Sequence, residues 1–173
     1  MGILDSVNDL LKKYTGGAQD TANAAEHFDQ VAQAAPQGVM AEGLAALFRS
    51  DQTPAFGNLV SSLFSQSNGE QKAGVLNQLL GSVGPGVLAQ MVGGGGALTS
   101  LLGSAGKEIT PDQAQKVSPE LVQQLASHAE QTDPSIVDKA SAFYAQHTTL
   151  VKTLGGAALS IALAKVAERQ KAA

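Results

Sequence analysis

Hydrophobic residues in this chain recur mostly at steps of three and four, the period that aligns side chains on one face of an α-helix. The longest run of this kind extends from Pro134 to Arg169. Its apolar stripe, interrupted by His147, contains Ile136, Ala140, Phe143, Leu150, Leu154, Ala157, Ile161 and Ala164. A continuous helix of this length would span roughly 54 Å, which is long for a globular protein. The pattern fits one helix or two, and a break is expected after His147 or at Gly155-Gly156.

Shorter amphipathic segments fill the rest of the chain, among them Ile3 to Tyr14 and Gln37 to Arg49. Several carry capping signals at their start, where a side chain accepts a hydrogen bond from a free backbone N–H. These signals are Asn68 with Gln71, Thr110 with Gln113, Ser118 before Pro119, and Asp133 before Pro134. The sequence therefore predicts an all-α fold, a compact bundle of about eight to ten mostly short helices with a long C-terminal helical segment and a Gly-rich hinge.

Composition divides the chain into four predicted regions. Residues 1–17 form an N-terminal amphipathic helix with a glycine turn, and residues 18–92 a region of short helices. Residues 93–109 form a Gly-rich linker or hinge. Residues 110–173 form a C-terminal helical region, which we expect to pack with 18–92 as one domain.

The most unusual stretch lies between Lys72 and Lys107, where 34 consecutive residues carry no charge. Glycines divide it into three apolar pieces, each too short to cross a bilayer. The pieces are either buried short helices joined by a hinge at Gly93 to Gly96 or an exposed apolar surface for a partner, a second copy or a lipid interface. As candidate interaction residues we select Val87, Leu88, Met91, Leu98, Leu101 and Leu102.

Composition also excludes several kinds of site and partner. The 173 residues carry a formal net charge of −4 with scattered basic residues, so no nucleic acid partner is expected. The chain has no cysteine, which excludes disulfides, thiolate metal sites and a cysteine nucleophile. No cofactor or metal motif occurs in the sequence, so no cofactor is expected. The opening residues lack a secretory signal, and a cytoplasmic location is therefore expected.

The histidines supply the only candidate chemistry. His128 lies close in sequence to Glu130, Asp133 and Asp138, and His147 interrupts an apolar stripe beside Tyr144. Solvated helix-end groups and a hydrogen-bonded core histidine are the ordinary interpretations. A hydrolytic enzyme using His128 or His147 remains an alternative hypothesis, without an assigned catalytic residue.

Three sequence features resemble the YidB-like family of small bacterial proteins. They are the opening MGILDSVNDLLKK, the Leu-Leu-Gly phrases ending at Gly81 and Gly103 with Gly93 to Gly96 between them, and the Ser-Pro-led helices that follow. The resemblance implies a mostly α-helical bacterial protein without an assigned activity, and it supplies no site residues. The long segment after Asp133 departs from the family pattern.

Together these features predict a non-enzymatic helical module that binds a protein partner or a second copy of itself, with a homo-oligomer favoured. A charge-free apolar stretch offers little electrostatic repulsion between copies. The alternative is a peripheral protein that contacts a membrane surface through the Ile3 to Tyr14 helix or the Gly-rich region.

Overall fold

The computed structural model of the chain describes residues 2–15, 21–92 and 108–172, without the side chains of residues 3, 4, 85–92 and 172. Within these ranges the regular structure consists of α-helices and one 3-10 helix, with no β-strand. The α-helices are α1 (Ile3–Lys12), α2 (Ala24–Ala34), α3 (Gln37–Arg49), α4 (Phe56–Gln66), α5 (Gly69–Val92), α6 (Pro111–Gln115), α7 (Pro119–Thr132), α8 (Ile136–Ala145), α9 (Thr148–Val151) and α10 (Gly156–Ala172). The predicted all-α fold is confirmed, while the Gly93 to Gly96 hinge lies outside the described residues.

Three of the predicted capping signals begin helices as expected. The N–H of Gln71 donates to the side chain of Asn68 at 2.9 Å, and the N–H of Asn68 donates to the side chain of Gln71 at 3.0 Å. Thr110 and Gln113 form the same reciprocal pair at the start of α6. Ser118 caps α7. Each cap gives a backbone donor at a helix start the partner that the helix itself lacks.

The chain divides into two compact units. Unit 1 comprises Met1–Ala55 and Ser141–Ala173, whereas unit 2 is the continuous segment Phe56–Ala140. The second boundary falls inside α8.

Unit 1 is organised around α10, which contacts α3, α2 and α1. The crossing of α3 and α10 requires a glycine, because a Cβ at Gly43 would lie 2.9 Å from the carbonyl oxygen of Ala162 and 2.7 Å from the Val166 side chain. The Arg169 guanidinium binds the carboxylate of Glu42 through two nitrogens, and this contact also joins α10 to α3.

The C-terminal segment is broken at both of the predicted weak points. Helix α8 ends at Ala145, and His147 departs from helical geometry with φ −127° and ψ 54°. After α9 and a 3-10 helix at Lys152–Leu154, Gly155 adopts φ 94° and ψ 164°. This conformation is almost restricted to glycine, so α10 starts as a separate helix.

The predicted apolar stripe is wrong from Leu154 onward. Leu154, Ile161 and Ala164 are only half-buried and Ala157 is exposed. The buried residues of α10 are instead Ala158, Leu159, Ser160, Ala162, Leu163, Val166 and Ala167. The reason is that the backbone at Gly155 interrupts the helical rotation, so a period counted from α8 no longer identifies the inward face.

Unit 2 packs α4 against α7, and α5 against α6 and α7. The contact of α4 with α7 is close, because a Cβ at Gly57 would lie 2.7 Å from the carbonyl oxygen of Gln123. The Ser61 hydroxyl donates to the carbonyl oxygen of Pro119 at 2.8 Å, which ties the same two helices together. The core of this unit includes Phe56, Leu59, Val60, Leu63, Phe64, Val75, Leu76, Leu79, Val122, Leu125 and Ala126.

Candidate functional site

The predicted interaction residues all belong to the charge-free stretch of unit 2. Val87, Leu88 and Met91 lie in the last two turns of α5, where the backbone is described without side chains. Leu98, Leu101 and Leu102 lie outside the described residues. The described parts of unit 2 hold the chain near the two ends of this stretch.

The helical geometry of α5 is interrupted at Gly84. Before this residue α5 is buried against its neighbours through Val75, Leu76, Leu79 and Val83. Gly84 itself has φ 70° and ψ 159°, so the backbone leaves helical geometry before it becomes helical again. A residue that precedes proline avoids the helical region, and a side chain strongly disfavours a positive φ. The Gly84-Pro85 sequence therefore separates residues 85–92 from the helix that precedes them.

Beyond the residues that are not described, Asn77 of α5 holds the chain at Ile109. The N–H of Ile109 donates to Oδ1 of Asn77 at 2.8 Å. Nδ2 of Asn77 donates to the carbonyl oxygen of Ile109 at 3.4 Å. The Ile109 side chain is buried, and the next residue is Thr110, the cap of α6. The position of the chain at Ile109 is thus fixed by the buried Ile109 side chain, by its two hydrogen bonds with Asn77 and by the helix cap at Thr110.

Gly84 and Asn77 lie on the same helix. Asn77 precedes Gly84 by seven residues, which corresponds to about 10 Å along a helix axis at 1.5 Å per residue. All six candidate interaction residues lie between Gly84 and Ile109 in the sequence, in what we call the 85–108 segment.

Helix α1, the other candidate contact surface, has its apolar face covered inside unit 1. Val7, Leu10, Leu11 and Tyr14 are all buried, and α1 contacts α2 and α10. The Tyr14 hydroxyl is hydrogen-bonded to Nδ1 of His27 at 2.6 Å. In this arrangement the apolar face of α1 packs on protein. No helix in the described ranges is long and apolar enough to cross a bilayer.

His128 lies on an exposed polar face of α7. This face lines a shallow depression of about 450 Å³ together with Glu120, Gln123, Gln124, Ser127 and Gln131. The neighbouring Ser127 hydroxyl donates to the backbone carbonyl of Gln123 at 2.9 Å. Its proton is directed to the backbone, whereas a serine nucleophile would donate to its histidine base.

His147 lies in unit 1 at the break between α8 and α9. It is half-buried, and its ring centroid is 4.7 Å from that of Phe143. Its N–H donates to the carbonyl oxygen of Tyr144 at 2.9 Å, while its own carbonyl accepts from Leu150 at 3.0 Å. These contacts give His147 a structural role at the helix break.

Asp133, one of the acidic residues near His128 in sequence, has its own partners. Asp133 accepts hydrogen bonds from Ser135 and forms an ion pair with Lys139 at 3.0 Å. The hydrogen bond from the Ser135 hydroxyl, together with that from Lys139, lowers the pKa of the Asp133 carboxyl. Across ranges 2–15, 21–92 and 108–172 no group of three or more histidine, aspartate or glutamate side chains is arranged to hold a metal ion.

Two residues that define the site did not stand out in the sequence. In the sequence Asn77 is one of two adjacent amide residues in an apolar run, and Gly84 is one glycine among many. The available signal was that Asn77 lies beside the buried Leu76 and Leu79, where an amide side chain requires a partner. Its partner is 32 residues further along the chain.

Comparison with known proteins adds no assignment. The chain matches no protein-family model, no curated protein and no solved structure.

Proposed function

We propose that this chain is a non-enzymatic self-association module whose contact surface is formed by the 85–108 segment. The observation that supports the proposal is the pair of hydrogen bonds by which Asn77 of α5 holds Ile109, the residue that follows the segment. An apolar stretch held in this way can present the same residues in every copy. Its contact residues would be Val87, Leu88, Met91, Leu98, Leu101 and Leu102.

The composition of the segment favours a second copy as partner. It contains Lys107 and Glu108 at its end and no charge before them, so two copies meet without like-charge repulsion across the apolar pieces. A contact between identical surfaces related by two-fold symmetry pairs each apolar residue with an apolar residue of the other copy. A charged or polar partner would leave these side chains without a matching surface.

A membrane surface is the competing partner for the same apolar residues. The covered face of α1 argues against lipid contact through that helix, because Val7, Leu10 and Leu11 would have to leave their packing first. Co-sedimentation of the full chain with anionic vesicles distinguishes the two partners. Our proposal predicts that the protein stays in the supernatant, and sedimentation abolished by Leu88→Lys would favour the membrane instead.

The self-association is tested with single lysine substitutions in the full chain. Leu88→Lys and Leu101→Lys each place a charge in the proposed contact, and both are expected to return an associated form to monomer with unchanged helicity. Ala25→Lys adds the same charge at an exposed position of α2 and serves as the control. Light scattering of all three variants at matched concentrations measures the effect. Equal masses for Leu88→Lys and Ala25→Lys would refute the proposed surface.

The other predictions from the sequence stay predictions. The resemblance to the YidB-like family contributes no site residue to this proposal. The cytoplasmic location also remains a prediction. A hydrolytic role for His128 or His147 stays an alternative hypothesis.

A further inference from the structure

The further inference concerns Asn68 and Gly69, which lie at the start of α5. Asn68 is exposed, and of the five asparagines in the chain it is the one that precedes a glycine. In an Asn-Gly sequence the backbone nitrogen of the glycine can attack the side-chain carbonyl carbon of the asparagine, because glycine has no Cβ to hinder the approach. By its local chemistry this is therefore the asparagine of the chain that deamidates most readily.

The reaction needs only water as a second reactant. A bond forms between the Gly69 nitrogen and Cγ of Asn68, and the bond from Cγ to the amide nitrogen breaks. The proton of the Gly69 N–H leaves with that amide nitrogen as ammonia. Water then opens the cyclic imide: opening at Cγ gives aspartate, and opening at the main-chain carbonyl gives isoaspartate, in which the main chain runs through the former side chain.

The cap of α5 opposes the first step of this reaction. The side-chain oxygen of Asn68 accepts from the N–H of Gln71 at 2.9 Å, and the N–H of Asn68 donates to the Gln71 side chain at 3.0 Å. The carbonyl oxygen of Asn68 accepts from the N–H of Lys72 at 2.9 Å. For the Gly69 nitrogen to reach Cγ, the side chain and the peptide group of Asn68 must both rotate out of this arrangement. The first turn of α5 must therefore open before the imide can form.

Packing explains why a glycine follows this asparagine. A Cβ at Gly69 would lie 2.6 Å from Nε2 of Gln115 and 3.2 Å from Cβ of Pro111, so α6 leaves little room for a larger residue. Asparagine is among the residues that cap a helix best. The reactive sequence thus results from two structural requirements, a cap at position 68 and a residue without a side chain at position 69.

We propose that Asn68-Gly69 is a deamidation site whose reaction is controlled by the cap of α5. The site is protected while the first turn of α5 is formed and reacts when that turn opens. Conversion to isoaspartate lengthens the main chain by one carbon, which removes the cap and displaces Gly69 from its close contact with α6. Conversion to aspartate keeps the acceptor for the Gln71 N–H and places a negative charge at the helix start, where it is stabilising. This inference does not depend on self-association.

Two substitutions of Gln71 in the full chain test this control. Gln71→Ala removes the side chain that accepts from the Asn68 N–H, whereas Gln71→Glu retains an acceptor at the same place. The matched control is Ser118→Ala, which removes the side-chain cap of α7 elsewhere in unit 2. Peptide mass spectrometry after incubation at mildly alkaline pH measures the conversion of Asn68 to aspartate and isoaspartate. The wild-type chain unfolded in urea gives the rate without any cap.

We expect Gln71→Ala to raise the rate of conversion about fivefold, because without this contact the first turn of α5 opens more often. Gln71→Glu and Ser118→Ala should react within about twofold of the folded wild type, and the unfolded chain should react fastest. Equal rates for Gln71→Ala and Ser118→Ala, or for the folded and the unfolded wild type, would show that the cap does not control the reaction. No conversion of Asn68 in the unfolded chain would overturn the site itself.

Discussion

At the scale of single residues, the backbone at Gly155 determines where the last helix begins. Its φ of 94° with ψ of 164° is available to glycine and strongly disfavours any residue with a Cβ. No atom lies within 4 Å of the position that a Cβ would occupy, so the cost of a side chain is conformational and not a clash.

We therefore predict that Gly155→Ala lowers the free energy of unfolding by about 1–3 kcal/mol. Gly38→Ala is the matched control, because Gly38 is exposed in α3 and also has open space around its Cβ position. In a helix the same substitution should raise stability by about 0.4–1 kcal/mol. Urea denaturation followed by circular dichroism measures both. A destabilisation of equal size at the two positions would contradict the conformational explanation.

The two tyrosines provide a second contrast between residues of one type. The hydroxyl of Tyr144 is fully buried and has no hydrogen-bond partner within the described part of the chain, whereas that of Tyr14 is bonded to His27. Tyr144→Phe removes an unsatisfied polar group and should raise the free energy of unfolding by about 1 kcal/mol, while Tyr14→Phe should lower it by about 1 kcal/mol. Thermal and urea denaturation measure both variants. Destabilisation of both would mean that the Tyr144 hydroxyl has a partner.

The same tyrosine makes stability depend on alkaline pH. Burial raises the pKa of Tyr144 far above its ordinary value. Above pH of about 10 the unfolded chain loses this proton while the folded chain keeps it, so the free energy of unfolding falls as the pH rises. The stability difference between Tyr144→Phe and wild type should therefore grow above this pH. Urea denaturation of both proteins between pH 8 and pH 11 measures this difference. A difference in the free energy of unfolding that stays constant over this range would be inconsistent with a buried phenol.

At the scale of helices, the sequence predicted starts and breaks better than it predicted which face is buried. The bounds of α3 and the capped starts of α6 and α7 follow from local signals, because a cap and its partner lie three residues apart. The inward face of α10 did not follow, since the geometry of Gly155 is not encoded in the hydrophobic period. The breaks at His147 and Gly155 were predicted, but their effect on helical phase was not.

Because the buried face of α10 differs from the predicted stripe, a different leucine is critical for stability. Leu163 is fully buried, while Leu154 of the predicted stripe is half-buried. Leu163→Asp buries an unpaired charge and should lower the free energy of unfolding by about 4 kcal/mol or more, whereas Leu154→Asp should cost about 1 kcal/mol. Thermal melting of the two variants, measured by circular dichroism, distinguishes the observed buried face of α10 from the stripe predicted from the sequence. Greater damage from Leu154→Asp would restore the stripe predicted from the sequence.

At the scale of the whole molecule, the sequence predicted that residues 110–173 pack with 18–92, but it did not indicate which distant helices contact each other. Unit 1 joins Met1–Ala55 to Ser141–Ala173, and contacts such as that of Glu42 with Arg169 connect residues 127 positions apart. The hydrogen bond from Arg169 lowers the pKa of Glu42, yet both side chains belong to ordinary charged helix faces in the sequence. The same limit applies to the candidate site. Its apolar residues could be selected from composition, but the Asn77 contact that holds the segment required the fold.

The measurement that tests self-association most directly is the molar mass of the full wild-type chain by light scattering, from low to high micromolar concentration. The account predicts a mass that rises with concentration toward a dimer or a larger assembly. It also predicts that Leu88→Lys keeps the mass at that of one chain. A wild-type mass that remains that of a single chain at every concentration, together with protection of residues 93–106 from proteolysis, would contradict it.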